Sequence, residues 1–131
     1  MKKYENFCSA YLNLSESIVL EPPYDTVTLT GLVALYEIAF EQSWKMMKEL
    51  LMYHGFDEGT TGSPRMIIKT AYQAKMIDDE NAWLKALDAR NNVTHSYNKE
   101  IALSIVNECK QIYTEMFGKL KESVEKNWLY K

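Results

Sequence analysis

Between positions 90 and 97 the chain reads Arg90-Asn91-Asn92-Val93-Thr94-His95-Ser96-Tyr97, which puts a guanidinium, an imidazole and a phenol close together in an otherwise amphipathic sequence. Arginine stays charged at any physiological pH, and histidine titrates near neutrality. Together they are a minimal set for phosphodiester chemistry: Arg90 can hold and neutralise a phosphate while His95 moves a proton. Arg65 and Lys69 lie four positions apart and so share one helical face. If the fold brings Arg90 near them, the three form a small anion site. Each residue also has an ordinary structural reading. Arg and His at a helix junction satisfy local hydrogen bonds and the helix dipole. Arg65 and Lys69 make a solvated stripe, and Tyr97 reads as a half-buried ring whose hydroxyl caps the junction.

The elements that must position these groups are helices. Tyr4, Phe7, Cys8, Tyr11, Leu12, Ile18 and Val19 recur at helical spacing and predict a first helix over about 3–20, stopped by Glu21-Pro22-Pro23. A second helix starts near Asp25 or Thr26 and runs to Tyr53, with Gly55 as its stop. One face carries Leu29, Leu32, Val33, Tyr36, Ala39, Phe40, Ser43, Met47, Leu50 and Leu51. Leu35, Ile38, Trp44 and Met46 widen that face beyond one packing stripe, which places the helix mid-bundle or against another subunit. His54 at its end is expected to cap the last carbonyls. A loop follows from Asp57 to Gly62. Ser63-Pro64 opens a short third helix over about 64–76 that carries Ile67, Ile68, Ala71, Tyr72 and Ala74. Asp78-Asp79-Glu80 stands where a fourth helix begins, over about 79–91, and acids there complement the helix dipole. That helix buries Ala82, Trp83, Ala86 and Leu87. A final helix runs from about Asn98 to Trp128 and buries Ile101, Ile105, Cys109, Ile112, Met116 and Leu120, with Gly118 tolerated inside it. The Trp128-Leu129-Tyr130 tail is apolar enough to dock on the bundle or on a partner. No strand signal and no repeat is visible. The expected fold is all-α: one domain over residues 1–131, an antiparallel up-and-down bundle of four main helices plus a short one.

Geometry constrains the motif. On one continuous helix, five positions separate Arg90 and His95 by about 140° around the axis. To meet one phosphate they need a chain break between them, or two copies facing each other across a two-fold axis. Asn91 to Thr94 are mediocre helix formers and permit the break.

Composition narrows the function. The chain has 131 residues, 47% hydrophobic and 25% charged, with a net charge of -3. The balance is that of an ordinary globular protein. An acidic chain is a poor sequence-independent nucleic-acid binder, and the acidity leans towards a protein partner. Cys8 and Cys109 lie far apart, on apolar helix faces and without zinc spacing, and read as core thiols in a reducing compartment. The seven methionines and the aromatic residues read mostly as core filler. The N-terminus turns polar before an apolar stretch builds, and Leu32 to Phe40 is broken by Glu37 and too short to span a bilayer. A cytoplasmic protein with no membrane segment, no metal and no cofactor is expected.

The R-x-x-x-x-H-x-Y pattern, with Asn91 after the arginine, resembles the signature of HEPN domains, a nucleotide-binding class found in higher eukaryotes and prokaryotes. More narrowly, Ser63-Pro64-Arg65, Ile68-Lys69-Thr70-Ala71, Trp83-Leu84 and Asp88-Ala89-Arg90-Asn91 with His95-Ser96-Tyr97-Asn98 resemble the bacterial nucleotidyltransferase substrate-binding proteins. Those are small helical partners of a separately encoded minimal nucleotidyltransferase (MNT). The resemblance implies a homodimer whose paired motifs form a metal-independent endoribonuclease site in a HEPN/MNT toxin–antitoxin pair. Arg90 and His95 would be catalytic and Asn91 would orient the cleft. Tyr97 matches the tyrosine that the nucleotidyltransferase modifies with AMP in toxin–antitoxin relatives. RNA or a nucleotide would be the ligand. The alternative is a non-catalytic substrate-binding or regulatory subunit of the nucleotidyltransferase, and a plain dimeric helical scaffold is a third.

Overall fold

The computed structural model describes residues 1–56 and 62–129. The expected loop from Asp57 lies outside the described residues except for Gly62, and so does Tyr130 of the tail. Six α-helical segments appear among the described residues: α1 (Lys2–Ser17), α2 (Thr26–Tyr53), α3 (Pro64–Gln73), α4 (Glu80–Asn91), α5 (Lys99–Glu108) and α6 (Thr114–Asn127). A 3-10 turn, Asn92–His95, links α4 to α5, and a π-helical turn, Cys109–Tyr113, joins α5 and α6 into one rod. The result is a helical bundle of four main rods and the short α3, with no strand among the described residues.

The bundle is built around α2, which packs against α1, α3, α4 and α5. Its start is fixed by Asp25, whose Oδ1 accepts the Thr28 N–H at 2.7 Å. Its end is fixed by Gly55 at φ +87°, a left-handed conformation that costs a glycine little. The whole predicted face from Leu29 to Leu51 is buried, and Met46 with it. Tyr36 and Phe40 of α2 meet Trp83 of α4, Tyr113 of the π turn and Phe117 of α6, with ring centroids 5.3 Å apart for Tyr36–Tyr113 and 6.1 Å for Phe40–Trp83. Phe7 of α1 closes the cluster edge-on to Phe117. Each such ring contributes about 2–3 kcal/mol through burial, so this cluster fixes how α2 and α4 sit together.

Several expectations need correction. The first helix stops at Ser17, with Ile18 as its cap, so Val19 lies beyond it and is exposed. Leu12 is exposed too, whereas Leu14 is fully buried. Phe7, Ala10, Leu14 and Ile18 advance by three or four and form the true stripe; Leu12 is two positions from Leu14 and points the other way. Cys8 is only half-buried, while Cys109 is buried, and burial pushes its thiol pKa well up. Met52 and Met66 lie exposed while Met46, Met47, Met76 and Met116 fill the core. The third helix ends at Gln73, short of 76, because Lys75 adopts φ +66°, which no right-handed helix continues. Tyr72, expected on the packing face, is exposed in its last turn.

His54 caps α2 as expected, but through its backbone N–H, which donates to the Leu50 carbonyl at 3.0 Å, while its imidazole reaches another element. Its Nε2 lies 2.8 Å from the Trp128 carbonyl and donates to it, and the two rings meet edge-to-face at 4.9 Å. Trp128 is buried on the bundle, so the tail docks there through this residue. The last rod holds the largest difference from expectation. In place of an unbroken α-helix it takes the π turn at Cys109–Tyr113. Gly118 is not merely tolerated: the Tyr11 hydroxyl sits 2.7 Å from where a Cβ would stand. No described helix is long and apolar enough to cross a membrane.

Candidate functional site

The chain breaks where the motif needs it to. Asp79 caps α4 by accepting the Ala82 N–H at 3.0 Å, and Trp83, Ala86 and Leu87 anchor the helix in the core. That leaves Arg90 in the last turn, where a cation complements the helix dipole. The four residues Asn92–His95 then wind as a 3-10 turn with Val93 half-buried beneath it. Asn98 restarts the helix: its Oδ1 accepts the N–H groups of Glu100 and Ile101. Arg90 and His95 thus stand at opposite ends of a tight turn and not on one helix.

Arg90 is held from three sides. Its Nε donates to Glu41 Oε1 at 2.5 Å, its Nη1 donates to Asn91 Oδ1 at 2.9 Å, and its Cζ lies 5.7 Å from the centroid of the Phe40 ring. The second oxygen of Glu41 accepts the Trp44 indole N–H at 3.1 Å. The Arg90 side chain is 24% exposed, so it is partly screened from solvent and still reachable. His95 is exposed at the far end of the turn. The ring of Tyr97 lies 6.2 Å from that of His95 at an interplanar angle of 69°. Tyr97 itself is 86% exposed, so the half-buried reading of this ring does not hold. Beside it is a shallow hollow of about 120 Å³ lined by Tyr24, Thr26, Leu29, Thr30, Ser96, Tyr97 and Lys99.

The sequence candidates therefore fall into three pairs. Arg90 and Asn91 are bonded to each other, and His95 and Tyr97 are edge-to-face neighbours. Arg65 and Lys69 are exposed on α3, and Arg65 pairs with Asp88 at 3.6 Å, which brings the start of α3 beside the last turn of α4. Glu41 was not singled out in the sequence, and Phe40 and Trp44 were legible there only as packing residues of the second helix. The one available signal was a carboxylate at position 41, set inside the most apolar helix between the core residues Phe40 and Ser43.

The family model described as nucleotidyltransferase substrate binding protein like matches residues 2–126. The chain belongs to this family. A curated relative, the probable ribonuclease HepT of Haemophilus influenzae, is 25% identical over 101 residues, covering 76% of this chain and 69% of its own length. Among solved structures, the chain resembles one from Haemophilus influenzae reported as the substrate binding domain of a nucleotidyltransferase. The TM-score is 0.81 at 21% identity, covering 93% of this chain and 98% of that one. A Thermus thermophilus crystal structure matches with TM-score 0.73 at 24% identity, covering 92% and 96%. At those identities the two structures establish the helical-bundle fold of this family member and nothing finer.

Proposed function

We propose that this family member is a metal-independent endoribonuclease of the HEPN type, acting as a homodimer and controlled by an MNT-type nucleotidyltransferase in a toxin–antitoxin pair. The observation that carries the reading is the state of Arg90, held at Nε by Glu41 and at Nη1 by Asn91 and still open to solvent, one tight turn from an exposed His95. The name of the Haemophilus influenzae relative supports the same activity. In this reading Arg90 binds the scissile phosphate and stabilises the charge that grows on it. His95 takes the proton from the RNA 2′-hydroxyl as its oxygen attacks phosphorus, and returns a proton to the departing 5′-oxygen. Products are a 2′,3′-cyclic phosphate and a 5′-hydroxyl.

Three further features fit. The exposed stripe Val27, Gly31, Ala34 and Ile38 on α2 advances by four, three and four, which gives a second copy an apolar face with room for close approach at Gly31. Thr26 and Thr30 on that stretch border the hollow beside Tyr97, so a two-fold contact there sets the two motifs around one cleft. Arg65 and Lys69 would extend the anion-binding surface along α3. Tyr97, largely exposed, is a suitable acceptor for AMP, whose bulk and charge would close the cleft.

The deciding assay is RNA cleavage in EDTA by wild type and His95→Ala, purified identically and matched by circular dichroism. An acid–base group typically contributes about a hundredfold to ten-thousandfold, so the variant should be nearly inactive. Arg90→Lys should also be severe, because a point charge cannot reproduce the guanidinium fork. Equal cleavage by wild type and His95→Ala would mean a contaminating nuclease. The reading favoured then is the one the family description supports, a non-catalytic subunit that completes the nucleotidyltransferase. Co-purification with that enzyme, and a mass gain on Tyr97 in AMP units, test the partnership separately.

A further inference from the structure

We infer that Glu41 is a positioning residue for Arg90, one that aims the guanidinium at a phosphate before substrate arrives. Its consequence for catalysis rests on the ribonuclease reading; its geometry does not. A guanidinium has five N–H donors. Glu41 takes the one on Nε and Asn91 takes one on Nη1, which leaves three N–H groups, both of those on Nη2 among them, without a bond to the described residues. Glu41 is itself fixed, because Trp44 Nε1 occupies its other oxygen. Phe40, wholly buried, lies beneath the guanidinium and blocks its retreat into the core. The four groups form a chain in which each holds the next.

Physical cost argues that the carboxylate is there for direction. Glu41 is 28% exposed and stands in the most apolar helix, where an apolar residue of similar size would serve stability as well or better. A carboxylate beside Arg90 also lowers the net positive charge that a phosphate sees, so it does not increase attraction for a polyanion. What it supplies is aim. A long side chain that loses its rotational freedom before binding loses nothing further at the reacting phosphate, and small misplacements at such a site cost up to about a hundredfold in rate.

This predicts a specific split. Glu41→Gln removes the charge and leaves a single oxygen, which cannot accept from Arg90 Nε and Trp44 Nε1 at once, so either the pairing or its brace is lost. Its kcat on RNA should fall about tenfold to a hundredfold while KM stays level or drops, because a negative charge has left the site. A merely structural Glu41 would lower the fraction of folded protein and leave the kcat of that fraction untouched. The independent readout is the Arg90 Nε–H signal in 15N NMR, assigned by its loss in Arg90→Lys. It should be sharp and slow to exchange with water in wild type and averaged with the other arginines in Glu41→Gln. If Glu41→Gln does not fold, Trp44→Phe removes the brace on the carboxylate and should give the same split in milder form. Should wild type cleave no RNA, the ribonuclease reading fails, and the Arg90 signal alone decides whether Glu41 holds the guanidinium. An Arg90 signal unchanged by Glu41→Gln, or a kcat within twofold of wild type, overturns the inference.

Discussion

Tyr36→Phe tests the link between α2 and the helix that carries Arg90. Tyr36 is wholly buried, and its hydroxyl donates to the Ala86 carbonyl at 2.5 Å. Burial pushes its pKa far above the ordinary tyrosine value, so the hydroxyl stays a donor at any working pH. Phenylalanine keeps the ring and its stack on Tyr113, and removes only that donor. The Ala86 carbonyl keeps its helical partner, the N–H four residues on, so no group is left wholly unpaired. The expected cost is one neutral hydrogen bond, about 1 kcal/mol. For a chain of 131 residues that corresponds to a fall in Tm of about 3–4 °C. Urea melts followed by circular dichroism should show a lower midpoint at constant slope, since the surface exposed on unfolding is the same. An equal or higher midpoint would refute the assignment. A loss above about 3 kcal/mol would mean that the carbonyl has no other partner, and that α4 is frayed at Arg90.

Three other outcomes are expected. Gly118→Ala alone should destabilise, because the Tyr11 hydroxyl must yield its place; in a Tyr11→Phe background the nearest atom is at 3.5 Å, and the same change should gain up to about 1 kcal/mol of helix propensity, read from thermal melts. The Thr28 backbone N–H holds the Asp25 carboxyl below its ordinary value of 3.8, so the charged cap stabilises above that pH and the benefit is lost as pH falls through the folded value. Wild type and Asp25→Asn should therefore differ in Tm near neutrality and converge in acid. Ile38→Glu should convert a dimer to a monomer by light scattering, since it sets like charges against each other across a two-fold contact; a dimer that survives it does not use this face of α2.

Much of this was legible in the residues. Periodicity gave α2 almost to the residue because Asp25 and Gly55 bracket it with unambiguous caps. The break after Asn91 was legible from four poor helix formers in a row. Leu12 and Val19 were misplaced because apolar residues outnumbered the positions that the stripe could bury, and composition does not say which ones win. Glu41 was hidden for a different reason. An ion pair across 49 positions leaves no local pattern, and Glu41 looks no different in the sequence from Glu37 and Glu49 of the same helix. The π turn was equally silent, since Cys109-Lys110-Gln111-Ile112-Tyr113 contains neither proline nor glycine.

That turn governs phase. From Ala102 to Trp128 an unbroken helix would rotate its side chains roughly 80° away from the core-facing line. A turn that spends one extra residue takes back roughly 100°, which returns Trp128 to within about 20° of Ala102. The tail meets His54 because of this correction, made four turns upstream. It also makes the last rod tolerant of length. A chain lacking one residue between Cys109 and Tyr113 would close into ordinary helix and keep everything beyond it in register, whereas the same deletion elsewhere in the rod would swing Val124 and Trp128 out of the core.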